Sequence, residues 1–128
     1  MDFLLGASRQ LSSINIKKCL RYISKVSFCC DFEVCGLVFK DKLKFLKNLS
    51  AEKQHSFFID PKEYAFCYSE IIFSFHSHPQ GLDSFSEEDL ISAEESMIPQ
   101  LVFNTKTHNF IFYDPQLEKQ FIFALKSV

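Results

Sequence analysis

The chain has 128 residues, of which 47% are apolar and 23% charged, with a formal net charge of −2. That length suits one domain, here taken as 1–128, with room for a proper core, and so balanced a charge offers no field to attract nucleic acid or an anionic membrane. No apolar run approaches the roughly 20 residues of a spanning helix, and Met1-Asp2-Phe3-Leu4-Leu5-Gly6 lacks the basic region of a signal peptide, so a cytoplasmic protein is expected.

From Ser13 to Lys25 the apolar set Ile16, Cys19, Leu20, Ile23 and Val26 follows a helical stripe, with Lys17, Lys18, Arg21 and Lys25 on other faces. Strand-like runs follow at Glu33–Phe39 and Leu43–Leu49, joined by Lys40-Asp41-Lys42, with a further strand expected at Ser56–Ile59. Lys40, Lys42, Lys44 and Lys47 read as the solvated face of that hairpin. Asp60-Pro61-Lys62-Glu63 is a helix start: aspartate as cap, proline at the first position and glutamate three on, opening a short helix to about Ser69.

Glu70–Phe75 is apolar apart from Glu70 itself and Ser74, as expected of a central strand buried on both faces. Gln80–Phe85 reads as a loop. Ser86-Glu87-Glu88-Asp89 opens a helix whose apolar positions are Leu90, Ala93 and Met97. Leu101–Phe103, Phe110–Tyr113 and Gln120–Leu125 read as three more strands, with a turn over Asn104–Asn109. The pattern predicts an α/β sandwich. Sixteen phenylalanines and no tryptophan predict an aromatic core.

The chemistry concentrates at Phe75-His76-Ser77-His78-Pro79. Residues i and i+2 of a strand share a face, so His76 and His78 converge while Ser77 points away. Pro79 lacks a backbone donor and ends the strand just beyond them. Asp89, in the first turn of a helix, sits where the helix dipole favours the ionised carboxylate that a metal ligand must be. His76, His78 and Asp89 are thus candidate zinc ligands, three being the number a catalytic zinc takes from the protein. Glu33, in Phe32-Glu33-Val34-Cys35-Gly36-Leu37, is the candidate general base. Ser86 is the expected N-cap, and its hydroxyl hydrogen stays free to act in catalysis.

Each piece alone has a plainer reading. Ser-x-x-Asp is an ordinary capping arrangement, His-x-His a strand with two polar positions, and Glu33 a strand-end charge; their conjunction in this order favours a site. Gly36 and Gly81 read equally as tight packing and a turn or as substrate-facing positions. His55 and His108 read as surface histidines. Cys19, Cys29, Cys30, Cys35 and Cys67 form no Cys-x-x-Cys pair and read mostly as small core residues; the Pro-Cys-x-x-Cys of nucleoside deaminases is absent.

Glu33, then His76-Ser77-His78-Pro79, then Ser86-x-x-Asp89 resembles the pattern of the JAMM metalloproteases, also called MPN-plus or JAB domains. The resemblance covers most of the chain. It implies a mixed, mainly antiparallel sheet flanked by helices, the cytidine-deaminase-like JAB/MPN fold. It also implies one catalytic Zn2+ on His76, His78 and Asp89, with Glu33 as general acid/base and Ser86 steadying the tetrahedral intermediate.

The activity so implied is hydrolysis of a peptide or isopeptide bond after the Gly-Gly tail of a ubiquitin-like protein. Residues 37–75 leave no large insertion to clamp ubiquitin, which favours a smaller ubiquitin-like or sulfur-carrier protein as substrate. His55-Ser56-Phe57-Phe58-Ile59-Asp60-Pro61 is similar to the small bacterial and phage-associated branch, so a phage tail protein is the other expected partner. The cell-wall peptidase domain of phage relatives is not expected in 128 residues. The rival reading is an assembly module of a phage tail that retains the site, and a third is a purely structural zinc.

Overall fold

In the computed structural model, which describes residues 13–40 and 42–128, the first apolar stripe folds as helix α1, Ser13–Phe28. Gly6 and the rest of the opening segment lie outside the described residues, as does Asp41. Strands β1 (Cys35–Phe39) and β2 (Lys42–Leu46) form the expected hairpin. Helix α2 (Pro61–Cys67) starts as predicted: the Asp60 side chain accepts from Lys62 N and Pro61 takes the first position. A 3-10 turn over Tyr68–Glu70 leads into β3 (Phe73–His78), which thus begins three residues later than expected. Helix α3 (Glu87–Ser96) and strands β4 (Gln100–Asn104), β5 (Asn109–Asp114) and β6 (Lys119–Ala124) complete the order.

The six strands form one sheet in the order β2-β1-β3-β4-β5-β6. Every pairing is antiparallel except β3 with β4, which α3 joins as the crossover that a parallel pair requires. The expectation of a mixed, mainly antiparallel sheet with helices is met.

Alternation along the strands separates two cores. Phe73, Phe75, Leu101, Phe103, Phe110 and Phe112 cluster with Ile16, Leu20 and Ile23 of α1. Val102, Ile111 and Tyr113 cluster instead with Phe85 and with Ala93 of α3, so a helix covers each face. β3 is buried along its whole length, as a central strand covered on both faces should be. The Tyr113 hydroxyl also donates to Glu94, fastening α3 to β5.

One expected strand is absent. Ser56–Ile59 joins no ladder; its polar groups are shared between the Asn48 side chain and local backbone, Ser56 N donating to Glu52 O and Phe58 O accepting from Leu49 N. Asn48 is buried, donates to the carbonyls of Glu33 (2.9 Å) and Ser56 (3.0 Å), and accepts from the N–H groups of Ser50 (3.0 Å) and Phe58 (3.1 Å). The run 48–58 is therefore a loop wrapped round one amide, and β2 ends at Leu46 rather than Leu49.

The bland readings of the glycines hold. A Cβ at Gly36 would lie 2.3 Å from the carbonyl oxygen of Lys44 and 2.4 Å from the Phe75 ring, so glycine there admits two neighbours. Gly81 has φ 89 and makes a turn. Of the hairpin lysines, Lys44 pairs with Glu63 at 3.0 Å while its side chain stays exposed to solvent, as expected of that face.

Candidate metal centre

β3 reaches the last paired residue of β1 at His76 and runs two residues beyond it to His78. Cys35 stands opposite His76, and continuing that antiparallel register sets Glu33 opposite His78, on the same face of the sheet. Ser77 locks this overhang: its hydroxyl accepts from Val34 N at 2.9 Å, and its own N–H donates to Val34 O at 2.9 Å. Glu33 is held from the other side as well, its N–H donating to Lys53 O and its carbonyl accepting from Asn48.

The two imidazoles meet through Nε2, 3.2 Å apart. Two nitrogens bound tetrahedrally to one zinc at about 2.0–2.1 Å stand roughly 3.3 Å apart, so the pair already has the spacing of a shared metal. Asp89 Oδ2 lies 3.2 Å from His76 Nε2. Glu33, His76 and His78 are all buried and offer ligand atoms within 4.8 Å of one another, a group able to hold a metal ion. Asp89 touches this group through His76.

The hydrogen bonds dictate where the protons sit. His78 Nδ1 lies 2.9 Å from the carbonyl oxygen of Leu82, which can only accept, so Nδ1 carries the hydrogen and Nε2 of the neutral ring is bare. His76 Nε2 faces that bare nitrogen and the Asp89 carboxylate. Both are acceptors, so in the metal-free chain His76 Nε2 carries a hydrogen. A metal at this point replaces that proton.

The electrostatics separate the two carboxylates. Asp89 is depressed to about 2: burial opposes its charge, but the contacts with His76 and the hydrogen bonds from Ser86 outweigh it. Burial pushes Glu33 up to about 7, with His76 pulling down and Asp89 pushing further up. Burial, with help from His76, lowers His78 and keeps it neutral, as a ligand must be.

Ser86 is the N-cap of α3, and with Asp89 it forms a capping box: Ser86 Oγ accepts from Asp89 N at 3.0 Å, while Asp89 Oδ2 accepts from Ser86 N at 3.1 Å. The plain reading of Ser-x-x-Asp is therefore present in full. It does not exclude the other, because the same Asp89 oxygen is the one turned to His76. Above the group opens a cleft of about 190 Å³, lined by Glu33, His78, Ser86 and Asp89 together with segments 54–57 and 79–84. Phe57 stacks on His76 with ring centroids 4.4 Å apart.

No protein-family profile matches the chain, and no curated protein matches it. Among solved structures it is similar to the solution structure of protein DSY2949 from Desulfitobacterium hafniense. The TM-score is 0.56 at 18% sequence identity, covering 89% of this chain and 88% of the other. At that identity the likeness concerns the fold alone.

Glu33, His76, His78, Ser86 and Asp89 thus line one cleft or touch one another, although 55 residues of sequence lie between the first and the last. Sequence reasoning missed Asn48, the Leu82 carbonyl and Phe57. His55, read as a surface histidine, is exposed but lines the cleft. His108 is exposed and sits edge-on to Phe28. Cys19 and Cys35 fit the reading as core residues, burial pushing both thiols up to about 12. Cys29 is exposed.

Proposed function

We propose that the chain is a zinc metallo-(iso)peptidase of the JAMM type, built on a JAB/MPN fold. The observation that carries this reading is that His76 Nε2 stands 3.2 Å from both His78 Nε2 and Asp89 Oδ2, beside the Glu33 carboxyl and under an open cleft. A structural zinc is usually closed by four protein ligands; a cleft over this group favours catalysis.

Asp89 rather than Glu33 is the third ligand in this reading. Asp89 Oδ2 already stands 3.2 Å from His76 Nε2, and its contacts with His76 and Ser86 hold it ionised as a ligand must be; Glu33, raised by burial, is left to carry the proton. Zinc supplies Lewis acidity, polarising the scissile carbonyl and acidifying a water. Glu33 accepts a proton at its carboxylate from the attacking water and returns it to the leaving amine. The Ser86 hydroxyl accepts from Asp89 N and keeps its hydrogen free, so it can donate to the oxygen that becomes negative as the carbonyl is attacked. Phe57 excludes water from one face of His76.

The substrate proposed is an extended protein tail, of the Gly-Gly type carried by ubiquitin-like and sulfur-carrier proteins. The test is zinc content by elemental analysis alongside cleavage of Gly-Gly-terminated fusions. Parent and Glu33→Gln are expected to hold one zinc, His78→Ala none, and the parent alone to cleave. A parent that takes up no zinc on supplementation, or a Glu33→Gln chain as active as the parent, overturns the reading.

A further inference from the structure

The loop 79–86 carries much of the site although it lies outside the sheet ladder. It supplies the Leu82 carbonyl that faces His78 Nδ1, and Ser86, which caps the helix of Asp89. Asp83, between them, anchors it. Asp83 Oδ1 accepts from Asn104 Nδ2 at 2.7 Å and Thr107 Oγ1 at 2.9 Å, and Oδ2 accepts from Asn109 Nδ2 at 3.2 Å.

All three donors belong to the β4–β5 turn and its ends, which is itself tightly built. Asn104 is fully buried, its Oδ1 accepts from Lys106 N (2.9 Å) and Thr107 N (3.2 Å), and its carbonyl accepts from His108 N (2.9 Å). The same turn reaches His78 directly, since Thr105 N donates to the His78 carbonyl at 3.4 Å. Gly81, at φ 89, lets the loop double back, with the Lys106 side chain packed where its Cβ would be. An ionised carboxylate only accepts, so it suits a place where every neighbour donates.

We propose that Asp83 is a positioning residue: by docking the loop onto the β4–β5 turn it holds the Leu82 carbonyl on His78 Nδ1 and so selects the imidazole tautomer whose Nε2 is bare for a metal. A neutral imidazole carries its hydrogen on either nitrogen, and only the Nδ1–H form offers a lone pair at Nε2. Losing such an outer partner typically costs 10- to 100-fold in metal affinity. The value of the selected tautomer rests on the metal reading above, whereas the selection itself is measurable without a metal.

The experiment is 15N NMR of the histidine ring nitrogens at pH 8 in the chelator-treated full chain, followed by zinc titration of each protein. The parent, Asp83→Ala and Thr107→Val, which removes one of the three bonds to Asp83, are compared. The parent His78 is expected as the Nδ1–H form. Asp83→Ala is expected to show a tautomer mixture and to bind zinc roughly 10- to 100-fold more weakly, with Thr107→Val between the two. A purely structural role would lower the melting temperature and leave the tautomer unchanged. Parent-like nitrogen shifts and zinc affinity in Asp83→Ala overturn the proposal, and if that variant does not fold, the same result in Thr107→Val does so. A parent that binds no zinc sinks the metal reading, and the nitrogen shifts alone then decide the role of Asp83.

Discussion

Glu33→Gln makes a prediction about stability that needs neither substrate nor metal. In the folded, metal-free chain the Glu33 carboxyl titrates near 7, against an ordinary value of 4.5. A raised folded value means that the native state holds a proton the unfolded chain has released. The stabilisation this gives is complete below pH 4.5 and is lost as pH rises through about 7. At 1.36 kcal/mol per pH unit the gap amounts to about 3 kcal/mol, reduced to about 2 by solvent in the open cleft. Glutamine has the same shape and never ionises, so it escapes the loss.

The variant should therefore gain about 2 kcal/mol on the parent between pH 4.5 and pH 8, about 1 M in urea midpoint for a chain of this size. His78, whose value is lowered, adds its own slope below its ordinary 6.5, but it is common to both proteins and cancels in the difference. Asp89, near 2, loses its contribution only at lower pH. The assay is urea denaturation of both proteins at the two pH values with a chelator present. A parent and variant separated by the same amount at both would refute the argument that Glu33 is buried at a cost.

Other consequences are as direct. Ser86→Asp keeps an N-cap acceptor but loses the hydroxyl, so its urea midpoint should match the parent while kcat on a Gly-Gly fusion falls about 100- to 1000-fold; Ser86→Ala should lose about 1 kcal/mol as well. Gly36→Ala drives a methyl into the Lys44 carbonyl and the Phe75 ring, and should cost about 1–3 kcal/mol by denaturation. Asn48→Ala strips partners from the buried Glu33 and Ser56 carbonyls and from the N–H groups of Ser50 and Phe58. It should cost about 3 kcal/mol, and hydrogen exchange should rise first in the segment 48–58.

Much of the fold was legible because periodicity reports burial directly. The stripe of Ile16, Leu20 and Ile23 marked α1, and Ser86 and Asp60 marked helix starts, since a cap is a local bargain between a side chain and the next turn. The alternation in Phe110-Ile111-Phe112-Tyr113 marked no single exposed face, because both sides of that strand are covered. Ser56–Ile59 misled for the opposite reason: its apolar residues look like a strand, but Asn48 takes the Ser56 carbonyl and the Phe58 N–H, and the backbone of Leu49 and Glu52 takes their counterparts.

By itself the sequence determined which residues are capable of metal chemistry and in what order they stand, since the reach of His76 and His78 to a common point follows from the two-residue repeat of a strand. Only the tertiary structure decided how the distant parts meet. The β1–β3 register sets Glu33 opposite His78, the crossover helix brings the Asp89 oxygen to 3.2 Å from His76, and the Leu82 carbonyl chooses the His78 tautomer. Glu33 near 7 and Asp89 near 2 are the same chemical group in two surroundings. Burial and donors, which arise only when the chain closes on itself, set them apart.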